Sequence, residues 1–267
     1  MSEPIDILVI DDEQVVRDAV SRVCEAAGLT VETAFDARSG LEKVQKKEYR
    51  LVLCDVMLPG LDAFQVLDEM KRAGIRTPVI MITGYSTVEN AVNSLKKGAI
   101  DFVPKPFTTD ELESAVRRGL RYREGPRSES LSGFQIDDAS TLHVPSSPAY
   151  YRLGYLSWAF IEPNGTGLIG MTHEYLKTVS PLKEIRCFDT DDDVVQGSVC
   201  ARVVSTDMLV HDVLSPLSGK ILERNHALLT SPETAENDPY LSGWLYRIIP
   251  TEVAYELMRL TPCIQDQ

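Results

Sequence analysis

The chain has 267 residues, 43% of them hydrophobic and 25% charged, with a net charge of −13. This is the composition of a soluble globular protein with room for two domains, each able to bury its own core. Divided at Gly125, it carries 17 basic against 21 acidic residues before the division and 10 against 19 after it, an acidic balance that disfavours a phosphate-backbone binder, so no DNA partner is expected. The five cysteines (24, 54, 187, 200 and 263) show no C-x-x-C spacing, which argues against a disulfide framework or a zinc site, and Cys24 and Cys54 read as small core residues. No apolar run approaches membrane-spanning length and no N-terminal stretch resembles a signal peptide, so no membrane association is expected and the cytoplasm is the default location.

The first element is the apolar run IDILVI at 5–10, which ends at Asp11, Asp12 and Glu13. A helical period follows through Val15, Val16, Ala19, Val20, Val23 and Cys24, and Gly28 stops it. The cycle then repeats, with strands predicted near 30–34, 51–54, 78–82 and 100–103 and helices near 36–47, 62–73, 86–97 and 108–122. Ser86 and Thr108 are candidate N-caps for the last two helices. Short, wholly apolar strands such as LVLC and VIMI imply burial on both faces. Five of them alternating with helices predict a doubly wound five-stranded parallel sheet, whose site lies at the carboxyl ends of the strands.

The unusual polar residues fall at that edge. Asp11 and Asp12 follow the first strand, Asp55 the third, Thr83 the fourth and Lys105 the fifth. Carboxylates held close repel one another and invite a divalent cation; magnesium suits oxygen ligands and would neutralise a phosphoryl group attacked by one carboxylate. A lysine can pair with that group and a threonine hydroxyl can hydrogen-bond to it. The segments VIDDE, LVLCDVMLPGLDAF, VIMITGY and DFVPKPF resemble the receiver domain of two-component response regulators, from residue 5 to about 122. The resemblance implies a flavodoxin-like fold, Asp55 as phosphoacceptor and a sensor histidine kinase as partner. It also implies Mg2+ bound by Asp12, Asp55 and the carbonyl of Met57 beside Asp11, with Thr83, Phe102 and Lys105 as switch and phosphoryl-binding residues and a cis Lys105–Pro106 bond. Ala63 departs from the glycine usual there, at a cost of roughly 1 kcal/mol if the position needs a positive φ.

Residues 123–148, rich in Ser, Pro, Gly and charge, read as a linker between a domain at 1–122 and another at 149–267. In the second domain the strand-like runs are LSWAFIE, GTGLIGM, SVCARVVS, DMLVHDVL, GKILERN and GWLYRII, with turns at Pro163–Gly165, Gln196–Gly197 and Ser218–Gly219. They predict a β-rich sandwich or flattened barrel, with helical pieces near 172–178 and 250–260. Lys183 is expected in a loop, and Asp189, Asp191, Asp192 and Asp193 in a solvated loop without the EF-hand's central glycine and final glutamate. No Ser-His-Asp arrangement or glycine-rich phosphate loop is visible here, and no enzyme activity is expected.

Trp158, NGTG with LIGMT, VVSTDMLVHDVLSPLSG, Asn225 with Ala227 and Leu228, and NDPYLSGWLYRI resemble, in that order, the glycine cleavage system H protein. That resemblance implies the hybrid barrel-sandwich shared with lipoyl and biotinyl carriers. Counted back from Pro216, Ser218 and Gly219, the family's lipoyl lysine falls on Met208, whose thioether cannot form the amide, and Ser205 stands where the family has a glutamate. No lipoate is expected on this chain. Taken together, the sequence reads as a response regulator whose output is a protein-interaction domain of unknown target. An accessory or decoy for lipoate or glycine-cleavage enzymes, a carrier modified elsewhere, and a homodimerisation module remain the alternatives.

Overall fold

The computed structural model describes residues 5–60, 63–84, 88–124, 150–179 and 181–263. The chain forms two compact units, Met1–Arg123 and Glu124–Gln267. Beyond its first two residues, which extend a helix, the expected linker lies outside the described residues, as does the expected cap at Ser86.

The first unit alternates strand and helix: β1 (Ile5–Ile10), α1 (Gln14–Ala26), β2 (Val31–Ala34), α2 (Ala37–Lys46), β3 (Tyr49–Asp55), α3 (Ala63–Arg72), β4 (Val79–Thr83), α4 (Val88–Lys97), β5 (Asp101–Pro104) and α5 (Thr109–Glu124). The strands pair in parallel in the order β2-β1-β3-β4-β5, the doubly wound arrangement of flavodoxin-like folds. Side chains alternate across the sheet, so Leu8, Ile10, Val52 and Cys54 join one apolar cluster with residues of α2 and α3. On the opposite face α5 comes in closely: a Cβ added at Gly119 would stand 2.7 Å from the Leu51 side chain and 3.0 Å from that of Ile80. Residue boundaries follow local chemistry. Gly28, at φ +78°, ends α1, with the Leu29 N–H returning to the Cys24 carbonyl. Thr108 and Glu111 form a reciprocal capping box at the start of α5.

The second unit has two antiparallel sheets. Its strands are β6 (Tyr150–Leu153), β7 (Ser157–Ile161), β8 (Gly167–Met171), β9 (Leu182–Cys187), β10 (Asp193–Val194), β11 (Val199–Ser205), β12 (Val210–Leu214), β13 (Gly219–Arg224), β14 (Trp244–Pro250) and β15 (Thr261–Pro262). Short helices α6 (His173–Val179), α7 (Ala227–Thr230), α8 (Glu233–Asn237) and α9 (Val253–Leu257) lie between them. The larger sheet runs β10-β13-β14-β8-β7-β6-β15 and the smaller β12-β11-β9, which gives the expected barrel-sandwich. Hydrogen bonds stitch the two: Tyr246 on β14 donates to the Cys200 carbonyl on β11 (2.8 Å), and Ser157 on β7 donates to the Leu214 carbonyl on β12 (2.7 Å). Trp158 is fully buried, its indole N–H shared between the carbonyls of Met171 and Pro239. The string NDPYLSGW has a local reason. Asp238 accepts from the N–H groups of Leu241 and Ser242, and any Cβ at Gly243 would stand 2.6 Å from the Asp238 carbonyl oxygen.

Lys183 is not in a loop but on β9, which pairs with β11. The strand was hidden in the sequence because a register shift at Val204/Ser205 breaks its period of two, leaving Leu182 and Ile185 buried three apart. Among the described residues no helix is long and apolar enough to cross a membrane.

Candidate functional site

The loop from β1 to α1 is three residues long, and its geometry is closely specified. Asp11 stays on the sheet edge through its N–H, which donates to the Ala34 carbonyl (3.1 Å), while its Oδ1 accepts from the Glu13 N–H (2.9 Å). Asp11 is buried at 2% exposure, and Asp55, the last residue of β3, at 5%. The Lys105 ammonium, at the end of β5, lies 2.8 Å from Asp11 Oδ2, 3.3 Å from Asp55 Oδ1 and 3.3 Å from Glu13 Oε1. The Lys105–Pro106 bond is cis, as the resemblance implied. Asp55 Oδ2 accepts from the Met57 N–H (3.1 Å), and the Thr83 carbonyl accepts from the Lys105 N–H (2.7 Å). Thr83 is fully buried on the same edge, Phe102 is half-buried, and Asp12 and Met57 are exposed at the mouth. Ala63 opens α3 fully buried and is not among the residues with positive φ, so no strain attaches to it.

Electrostatics follow from this crowding. Burial, reinforced by the neighbouring Asp11 charge, pushes the Asp55 carboxyl above its ordinary range despite Lys105. Burial works to lower the Lys105 ammonium, but its hydrogen bond to Asp11 and the Asp55 charge prevail and raise it. Among the described residues no three His, Cys, Asp or Glu side chains stand together as a complete cage for an ion. Lys105 instead bridges Asp11 and Asp55 while Asp12 faces solvent. This donor set still fits magnesium, which takes one or two carboxylates and keeps several waters instead of needing a complete protein cage.

The second unit's hairpin β11–β12 turns through Thr206, Asp207 and Met208. The Met208 N–H donates to the Ser205 carbonyl (2.9 Å) and the Ser205 N–H to the Leu209 carbonyl (3.0 Å). Met208 closes the turn at φ +70° and is 61% exposed, the left-handed position that glycine or asparagine usually fills. At its side, 3.1 Å from the Met208 sulfur, lies the Lys183 ammonium. At the base, buried Ser205 donates to Asp207 and meets His211 Nε2 at 3.0 Å. The sequence reading saw no such row. It is not a hydrolytic triad, because the hydroxyl lies between carboxylate and imidazole where the imidazole would have to be in the middle. Asp189, Asp191 and Asp192 are exposed in a loop, as expected, whereas Asp193, also exposed, is not in the loop but opens β10 opposite Lys220.

The chain matches the family model of the response regulator receiver domain over residues 7–117 and that of the glycine cleavage H-protein over residues 150–262. It is 31% identical over 190 residues to the response regulator MprA of a Mycobacterium species (strain KMS), an alignment spanning 70% of this chain and 81% of that protein. This chain belongs to the response regulator family. The response regulator is also 36% identical over 135 residues to the transcriptional regulatory protein HprR of Escherichia coli, half of its own length and 60% of that relative's. Its second unit is similar to the glycine cleavage system H protein of Mycobacterium marinum, at 30% identity, with a TM-score of 0.37, 40% of this chain covered and 87% of that one.

The structure of this response regulator thus brings Asp11, Asp55 and Lys105 into direct contact range, keeps Thr83 on the same edge, and leaves Asp12 and Met57 at the rim. Sequence reasoning missed Arg17, whose guanidinium reaches back over the loop to the carbonyls of Asp11 (2.6 Å) and Asp12 (2.9 Å). The signal was present: a cation in the first turn of a helix runs against the helix dipole and calls for partners of its own.

Proposed function

We propose that this response regulator is phosphorylated on Asp55 and passes the change to a non-lipoylated, H-protein-like interaction domain. The observation that carries the reading is a buried carboxylate at the end of β3 within 3.3 Å of the Lys105 ammonium, with Asp11 and Asp12 one strand away. A sensor histidine kinase would present a phosphoimidazole. An Asp55 oxygen bonds to phosphorus as the nitrogen–phosphorus bond breaks, and Lys105 leaves its pairing with the free carboxylate to pair with the phosphoryl oxygens. Asp12, Asp55 and the Met57 carbonyl, with Asp11 beside them, would hold Mg2+. When bound, it supplies the positive charge that lets an anion approach this acidic edge. The Thr83 hydroxyl would turn to the phosphoryl group and Phe102 would follow it inward.

For the second unit, the reading as a contact module and not a carrier is supported by a methionine at the hairpin tip. The acidic balance of that half, 10 basic against 19 acidic residues, favours a protein partner over DNA. Intact mass spectrometry tests the phosphoacceptor. Acetyl phosphate should add one acid-labile phosphoryl group in the presence of Mg2+, and none after chelation or in Asp55→Asn. Labelling that ignores either change would count against the reading.

A further inference from the structure

From the contacts of Arg17, we infer that this residue is a positioning residue for the magnesium site, acting through the backbone of the acidic loop. The inference rests on the proposed role of Asp55 and its neighbours. One guanidinium nitrogen, Nη1, donates to two successive carbonyls, those of Asp11 and Asp12. The peptide planes on either side of Asp12 are thereby tied to α1, and the direction in which the Asp12 side chain leaves the chain is set with them. Asp12 needs this support. Asp11 is fixed by the sheet, by the Glu13 N–H and by Lys105, whereas the Asp12 side chain is exposed. Arg17 is half-buried in the first turn of α1, a place where the helix dipole disfavours a cation. The two carbonyls offset that cost.

Two effects of Arg17 on a bound cation oppose each other, and this makes the inference testable. Its charge repels Mg2+, so an arginine that acted through charge alone would weaken binding, and its removal would tighten it. A positioning arginine does the reverse, because loss of a partner that orients a ligand typically costs about 10–100-fold in metal affinity. The experiment is a Mg2+ titration of the isotopically labelled full chain, followed by backbone amide shifts in the β1–α1 loop and at Met57. Arg17→Ala should raise the Mg2+ midpoint by roughly tenfold or more. Arg17→Lys, one bond shorter but still able to donate to the carbonyls, should lie between the variant and the native protein. In parallel, labelling by acetyl phosphate should show the same shift in Mg2+ midpoint with an unchanged rate at saturating Mg2+, a split that general loosening of the fold would not produce. A midpoint in Arg17→Ala equal to or below the native value overturns the inference and leaves the phosphoacceptor reading standing. If Arg17→Ala lowers the folded fraction, Arg17→Lys decides alone, and a native midpoint there overturns the inference. Failure of the native chain to bind Mg2+ would remove both, and that outcome is separate from the others.

Discussion

Asp55 sits in the fold at a cost. Burial first, and then the charge of Asp11, raise its carboxyl above the ordinary range against the opposing Lys105 charge, so folding penalises the ionised form relative to the protonated one. Such a group contributes stability below its unfolded pKa, near 3.9, and that contribution is lost as pH rises through the folded value. Above the folded value the ionised carboxylate is therefore destabilising. Asp55→Asn should raise the unfolding midpoint of the first unit by a few degrees at pH 7, with the gain shrinking toward pH 4; a gain that grew on acidification would contradict the argument. Met208 also holds an unfavourable state, at φ +70°. Met208→Gly should stabilise the second unit by up to about 1 kcal/mol in urea unfolding. The signal is intrinsic fluorescence, because both tryptophans, Trp158 and Trp244, belong to that unit. At this scale the sequence was legible where strand ends align residues, as with Asp11, Asp55, Thr83 and Lys105. It was silent where one side chain reaches a backbone carbonyl, as Arg17 does, or where a turn folds Asp207 back on Ser205.

Among elements, α5 is held to β5 by a buried ion pair. Arg118 reaches Asp101 with two nitrogens, at 3.0 and 2.5 Å, and Ser114 Oγ with a third at 2.6 Å; Arg118 and Asp101 are each 5% exposed. Removing one partner leaves a buried charge uncompensated, so Arg118→Ala should cost the first unit about 3–5 kcal/mol, measured by denaturant unfolding. A loss below about 1 kcal/mol would show that Asp101 finds water. The helices and apolar strands of the first unit were readable because each carries one period throughout. Those of the second were partly hidden. Strands β6, β10 and β15 span only two to four residues, too short to display a period, and β9 loses its period at a bulge. The Trp158 region and the NDPY turn were readable because close packing against Gly170 and Gly243 fixes residue types there.

In the whole molecule, a receiver domain with an acidic strand edge and an H-protein-like unit are carried on one chain. As an interaction module without the lipoyl lysine, the second unit should stay unmodified, so the full chain co-expressed with a lipoate ligase and supplied with lipoate should keep its unmodified mass. A lipoyl adduct would return it to the carriers, and its position, at Lys183 or elsewhere, would say how. Asp55 and no other carboxylate should accept the phosphoryl group. Borohydride reduction of the phosphorylated chain converts an aspartyl phosphate to homoserine, which peptide mapping then locates. Homoserine should appear at position 55 alone; homoserine at 11 or 12, or none at 55, would contradict the account.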